Sequence, residues 1–145
     1  MQILIDGDGC PVIQSTIDIA RRYNVEVIIM CDTSHSFDKY DVKVITMSKG
    51  ADSVDFKIVN EVKKDDIVIT QDYGLATMLL AKEANIINQN GLIYSNENID
   101  MLLFNRYLSR KIRNSGLRTK GPKKRTKEDN TKFEVSLEKL IKEII

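Results

Sequence analysis

The amino-acid sequence predicts an α/β fold: a mostly parallel five-stranded sheet in a three-layer α/β/α arrangement, with a helical carboxyl-terminal extension. Short apolar runs rich in Ile and Val recur at residues 3–5, 25–30, 42–45, 67–69 and 85–87. Stretches with helical spacing separate most of them. Strands alternating with such helices call for parallel pairing, with crossovers covering both faces of the sheet.

Each element has its own signature. The run Ile3-Leu4-Ile5 is apolar without alternation and ends at Asp6, as a strand buried on both faces does. Pro11 suits a first helical position, and Val12, Ile13, Ile17 and Ala20 follow at helical spacing as far as Tyr23. A second strand is expected at 25–30 and a third at 42–45; the polar stretch between them, with His35, reads as a surface loop. A helix is expected from about Lys49 to Lys64, with Val54, Ile58 and Val62 on one side. Residues 67–69 form the fourth strand, and Asp72 and Gly74 open the next helix. Residues 85–87 form the fifth strand, and Asn88-Gln89-Asn90-Gly91 marks a turn before residues 92–94. A long helix follows from Asn96 to about Ser115. Residues 116–131 read as a polar, basic loop or arm. Phe133, Leu137, Leu140, Ile141 and Ile144 define a final amphipathic helix, whose apolar stripe must bury in the core or against a second copy of the chain, a homodimer.

The whole chain, 1–145, is expected to form one domain: an α/β core over 1–95 and a helical, basic extension over 96–145. No run of apolar residues is long enough to span a membrane, and the first residues turn acidic too soon for a secretory signal. Cys10 and Cys31 lack metal-site spacing and read as buried or half-buried free thiols. A cytoplasmic location fits these features. Charge is unevenly spread: residues 1–105 carry 9 Lys/Arg against 16 Asp/Glu, whereas residues 106–132 carry 11 against 2. Such asymmetry suggests a phosphate or nucleic-acid partner.

Right-handed crossovers put the carboxyl ends of all parallel strands on one rim, where ligands bind in open sheets. Asp6, Asp8, Asp52, Asp55 and Asp72 all gather there on this reading. Asp52 and Asp72 also stand where helix N-caps belong, and Asp8 suits a turn before Gly9. Asp6 fits neither role. Its carboxylate enters the buried end of a strand with no cation nearby in sequence, and Asp8 adds a like charge. A divalent cation would relieve both problems. An all-oxygen donor set suits Mg²⁺ or Mn²⁺ rather than zinc.

The segments Ile5-Asp6-Gly7-Asp8-Gly9-Cys10-Pro11, Gly50-Ala51-Asp52-Ser53-Val54-Asp55 and Thr70-Gln71-Asp72-Tyr73-Gly74-Leu75-Ala76 resemble the bacterial YaiI/YqxD family. Arg106, Arg113, Gly116, Thr119, Gly121-Pro122, Asp129 and Phe133 are similar to its carboxyl-terminal pattern. The sequence departs from that pattern at Gly7 and Gly9, where the family usually has Ala, and at Asn130, where it usually has Arg. The family is similar in fold to PIN-domain nucleases. That likeness implies a PIN-like fold, with Asp6, Asp8, Asp55 and Asp72 as catalytic, metal-binding residues and Asp52 beside them.

Arg106, Arg110, Arg113, Arg118, Lys123 and Lys124 are the cations expected to meet RNA or a single-stranded nucleic acid, together with Lys120 and Arg125. Tyr107 among them could stack on a base. The leading expectation is therefore a metal-dependent phosphodiesterase or nuclease. Two alternatives stay open. One is a haloacid-dehalogenase-like phosphatase, suggested by Asp6-Gly7-Asp8 after an apolar strand. The other is a non-enzymatic RNA- or protein-binding module.

Overall fold

The computed structural model describes residues 1–32, 37–48, 53–118 and 123–145. Five strands form the sheet: β1 (Gln2–Asp6), β2 (Glu26–Asp32), β3 (Lys43–Met47), β4 (Ile67–Ile69) and β5 (Asn85–Ile87). Every pairing is parallel, in the order β3-β2-β1-β4-β5. The chain thus winds outward from β1 through β2 to β3, then returns to place β4 on the other side of β1. That reversal makes the gap between the carboxyl ends of β1 and β4 a topological switch point, where crossovers diverge and leave a crevice.

The side chains of β1 alternate between two cores. Ile3 and Ile5 face α1 (Ile13–Arg22) and α5 (Lys127–Ile144), where Ile17, Phe133, Leu137 and Ile141 are buried. Leu4 faces α2 (Ser53–Glu61), α3 (Tyr73–Leu80) and α4 (Asn96–Asn114), where Ile58, Leu75, Leu79 and Ile99 are buried. Sheet and helices make the three layers expected. In the α5 stripe, Phe133, Leu137, Leu140 and Ile141 are buried in this core and Ile144 packs partly buried against it, so burial of the stripe needs no second copy. Among the described residues no helix is long and apolar enough to cross a membrane.

Several boundaries differ from expectation. α5 begins at Lys127, inside the stretch read as a loop, because Thr126 and Asp129 cap it reciprocally. The Thr126 side chain accepts the Asp129 N–H, and the Asp129 carboxylate accepts the Thr126 N–H. In the described part of its expected range, α2 covers only Ser53–Glu61. Residues 92–94, after the expected turn, contribute one antiparallel bridge, Ile87 to Ile93. The turn at 88–91 docks on α5: Ser136 donates to the Gly91 carbonyl at 2.7 Å. Gly91 has φ +88°, and a Cβ there would stand 2.7 Å from the Lys132 carbonyl oxygen, so the contact admits only glycine.

Candidate active site

β1 delivers Asp6 to the switch point. The next residues stay tied to β2: the Gly7 N–H donates to the Met30 carbonyl at 2.8 Å, and Asp8 Oδ2 accepts the Asp32 N–H at 3.1 Å. A Cβ at Gly7 would lie 2.8 Å from Ile29 Cγ2, so alanine there requires Ile29 to yield. Gly9 follows with φ +74°. These links fix both carboxylates over the ends of β1 and β2.

β4 supplies the opposing side through Thr70, which is buried. Its hydroxyl donates to Asp6 Oδ2 at 2.8 Å and accepts the Asp72 N–H at 3.0 Å. Asp72 Oδ1 in turn accepts the N–H groups of Gly74 and Leu75, capping α3. Asp72 is thus both the expected cap and a site residue. Gln71 Nε2 donates to the Gly9 carbonyl at 3.0 Å and joins the two loops.

Burial pushes the Asp6 carboxyl up from 3.8 to about 6. The nearby negative charges of Asp8 and Asp72 push the same way, and the Thr70 hydroxyl opposes them. Asp66, at the other end of β4, shows the contrast. Its buried carboxylate receives the Gln2 and Lys63 N–H groups and the Gln2 side-chain amide, as a structural aspartate should. Asp6 has only the Thr70 hydroxyl as a donor among the described residues.

A cleft of about 790 Å³ opens above these groups. Asp6, Asp8, Gln71 and Asp72 form its floor, and Asn105, Arg106, Ser109 and Arg113 of α4 form its wall. The Arg106 guanidinium lies 6.0 Å from the centroid of the Tyr73 ring, which packs edge-on against Tyr94. Among the described residues no ion pair joins Arg106 or Arg113 to Asp6 or Asp72. Among the described residues, Asp6 and Asp72 of the acidic floor are therefore not neutralised by direct contact with the arginines of the wall.

The other expected site residues divide. Lys123 and Lys124 line a neighbouring cavity that shares Gln71 with the cleft. Arg125 is committed elsewhere: its guanidinium donates to Asn130 Oδ1, Asn90 Oδ1 and the Gln89 carbonyl at 2.6–2.7 Å, locking the basic segment onto the 88–91 turn. Arg110 and Arg118 are exposed and do not line the cleft. Tyr107 is exposed beneath the Lys111 ammonium. Asp55 sits in the first turn of α2 and does not line the cleft. Asp52, His35 and Lys120 lie outside the described residues. Thr70, Gln71, Asn105 and Ser109 are site residues to which sequence reasoning gave no role. Only the spacing on α4 could have found the last two, since they share a side with Arg106 and Arg113.

The donor set suits a hard cation only as a partial shell. Among the described residues no group of three or more His, Cys, Asp or Glu side chains is gathered closely enough to hold a metal ion. Magnesium ordinarily takes one or two carboxylates and completes its octahedron with water and substrate phosphate oxygens. Asp6 with a neighbouring aspartate meets that requirement, and a protein-only cage is not needed.

The model of the family described as "Uncharacterized BCR, YaiI/YqxD family" matches residues 4–143. A "UPF0178 protein" of Exiguobacterium sibiricum is 50% identical over 143 residues, covering 99% of this chain and 98% of the relative. One from Ruminiclostridium cellulolyticum is 51% identical, covering 98% of this chain and 93% of the relative. One from Enterococcus faecalis is 46% identical, covering 98% of each. No solved structure matches the chain.

Proposed function

Starting from a chain that belongs to the YaiI/YqxD family, we propose that the cleft is a divalent-metal-dependent phosphodiesterase site for RNA or single-stranded nucleic acid. One observation carries this reading. Asp6, Asp8 and Asp72 share a cleft with Arg106 and Arg113, so a phosphate can meet cations on one side and carboxylates on the other.

Arg106 and Arg113 hold phosphate oxygens, and Asn105 and Ser109 between them offer hydrogen bonds to the sugar or phosphate. Asp6, with Asp8 or Asp72, provides oxygen ligands for Mg²⁺ or Mn²⁺. Such an ion, when bound, stabilises charge on the phosphoryl oxygens and lowers the pKa of a bound water. Thr70 keeps Asp6 and the start of α3 in fixed relation, so the floor is preorganised. Lys123 and Lys124 extend the basic surface beyond Gln71, where a chain longer than one nucleotide would run. The likeness to PIN-domain nucleases points the same way. The phosphatase reading wants a supporting lysine, whereas among the described residues the cations lining this cleft are Arg106 and Arg113.

The test is cleavage of end-labelled single-stranded RNA and DNA with Mg²⁺ or Mn²⁺, by the wild type and by Asp72→Asn. Asparagine caps a helix as well as aspartate does, so this change removes charge while sparing α3. Activity should fall at least about a hundredfold, the scale for losing one electrostatic contributor to a transition state. Cleavage that ignores chelator, or survives intact in Asp72→Asn, refutes the proposal. Salt-sensitive binding without turnover would favour the non-enzymatic alternative.

A further inference from the structure

α4 is apolar on two opposite sides. Ile99, Leu102 and Leu103 face the core. Met101, Phe104, Leu108 and Ile112 do not: they are 60, 57, 41 and 41% exposed. At about 100° per residue, these four fall within about 80° of one another and nearly opposite the core-facing residues. The stripe continues the spacing of a helix–helix seam, three or four residues apart over about 16 Å of helix. α5 makes a useful comparison, since Phe133, Leu137, Leu140 and Ile141 of its stripe are all buried. A helix with two apolar sides is ordinarily covered on both.

We propose that this stripe pairs, antiparallel and about a two-fold axis, with the same stripe of a second copy of the chain. Charge decides the occupant and the direction. Glu97 and Asp100 stand at the start of α4, and Lys111 lies near its end on the same flank as Asp100. An antiparallel pair centred between Phe104 and Leu108 sets Phe104 of each copy on Leu108 of the other. It also brings Asp100 of each copy beside Lys111 of the other. A parallel pair would set like charges together. A nucleic acid suits the stripe poorly. Arg106 and Arg113 point into the cleft, and Lys111, the cation beside the stripe, lies 5.6 Å from the Tyr107 ring centroid. The pairing would brace the half of α4 that carries Arg106, Ser109 and Arg113, and with it the basic wall of the cleft. It stands independently of any activity of that cleft. A seam this short sits at the low end of specific interfaces, so dimer and monomer should exchange with concentration.

Sedimentation equilibrium of the full chain tests it. The wild type should rise from the 16.5 kDa monomer towards twice that mass as concentration increases. Leu108→Glu, at an exposed position that leaves the core intact, should weaken association at least about tenfold with an unchanged circular dichroism spectrum. Asp100→Lys should also weaken it, and adding Lys111→Glu should restore it. A wild type that stays monomeric at its highest soluble concentration overturns the proposal. So does a dimer indifferent to Leu108→Glu, or a Leu108→Glu chain that loses oligonucleotide binding while the wild type is monomeric.

Discussion

Asp6→Asn should make the protein more stable, and only above the range where Asp6 ionises. The folded chain holds this carboxyl at about 6 against an ordinary 3.8. A raised folded value means that folding favours the protonated form. The contribution of Asp6 to stability is therefore fully present below about pH 4, declines as pH rises through 6, and is absent above it. A difference of about two units corresponds to about 3 kcal/mol at pH 8, at 1.36 kcal/mol per unit. Asparagine has no charge to desolvate, and its Oδ1 can still accept the Thr70 hydroxyl. The variant should therefore escape most of that cost, gaining about 1–3 kcal/mol over the wild type at pH 8 and almost nothing at pH 4. Urea unfolding of both proteins from pH 4 to 8 gives the difference directly. Mg²⁺ adds a second arm. It should stabilise the wild type at pH 8 and leave Asp6→Asn unmoved, because a cation binding only the native state raises its stability. An Asp6→Asn protein that is less stable at pH 8, or whose difference from the wild type does not change with pH, would refute the reading of Asp6 as a strained site carboxylate.

Two further outcomes follow from the same geometry. Thr70→Val removes a buried hydroxyl that serves Asp6 and the Asp72 N–H together; it should cost about 2–3 kcal/mol and raise the Asp6 carboxyl further, read by urea unfolding and by carboxyl-carbon NMR titration. Arg125→Ala removes three hydrogen bonds that clamp residues 89–90 and Asn130; it should cost about 1–3 kcal/mol, with amide exchange accelerating at the 88–91 turn and the first turn of α5 and unchanged in β1.

The strands were readable because their residues have one plausible place. Ile67–Ile69 and Asn85–Ile87 match expectation to the residue, as apolar runs bounded by polar turns should. The start of α5 was hidden because its first turn and a half is polar and offers no periodicity. Its capping box uses Asp129 where the usual signature has Glu or Gln, so the cap shows only in three dimensions. The site divides along similar lines. Asp6, Asp8 and Asp72 announce themselves because carboxylates at strand ends are costly or functional. Thr70, Gln71, Asn105 and Ser109 are neutral and common, and acquire meaning only when β4 lies beside β1 and α4 crosses their ends. Nothing in the sequence specified that β4 would return to β1. Arg125 shows the reverse error, since a cation in a basic run looks like a phosphate ligand until its hydrogen bonds are traced.

The acidic body and the basic late segment now have a common explanation in topology. Placing β4 beside β1 creates the crevice, and the loops at its mouth carry the carboxylates. α4 then brings Arg106 and Arg113 across that mouth, and the Arg125 clamp fixes Lys123 and Lys124 on the far side of Gln71. Fold stability alone does not ask for this arrangement. A buried aspartate that only held the fold together would be surrounded by donors, as Asp66 is, and a basic helix that only gave solubility could face solvent throughout. Here a poorly satisfied carboxylate and two arginines share one cleft, and among the described residues none of the three makes a direct ion pair. On the proposed function, a ligand carrying negative charge, accompanied by a cation, would satisfy both sides at once.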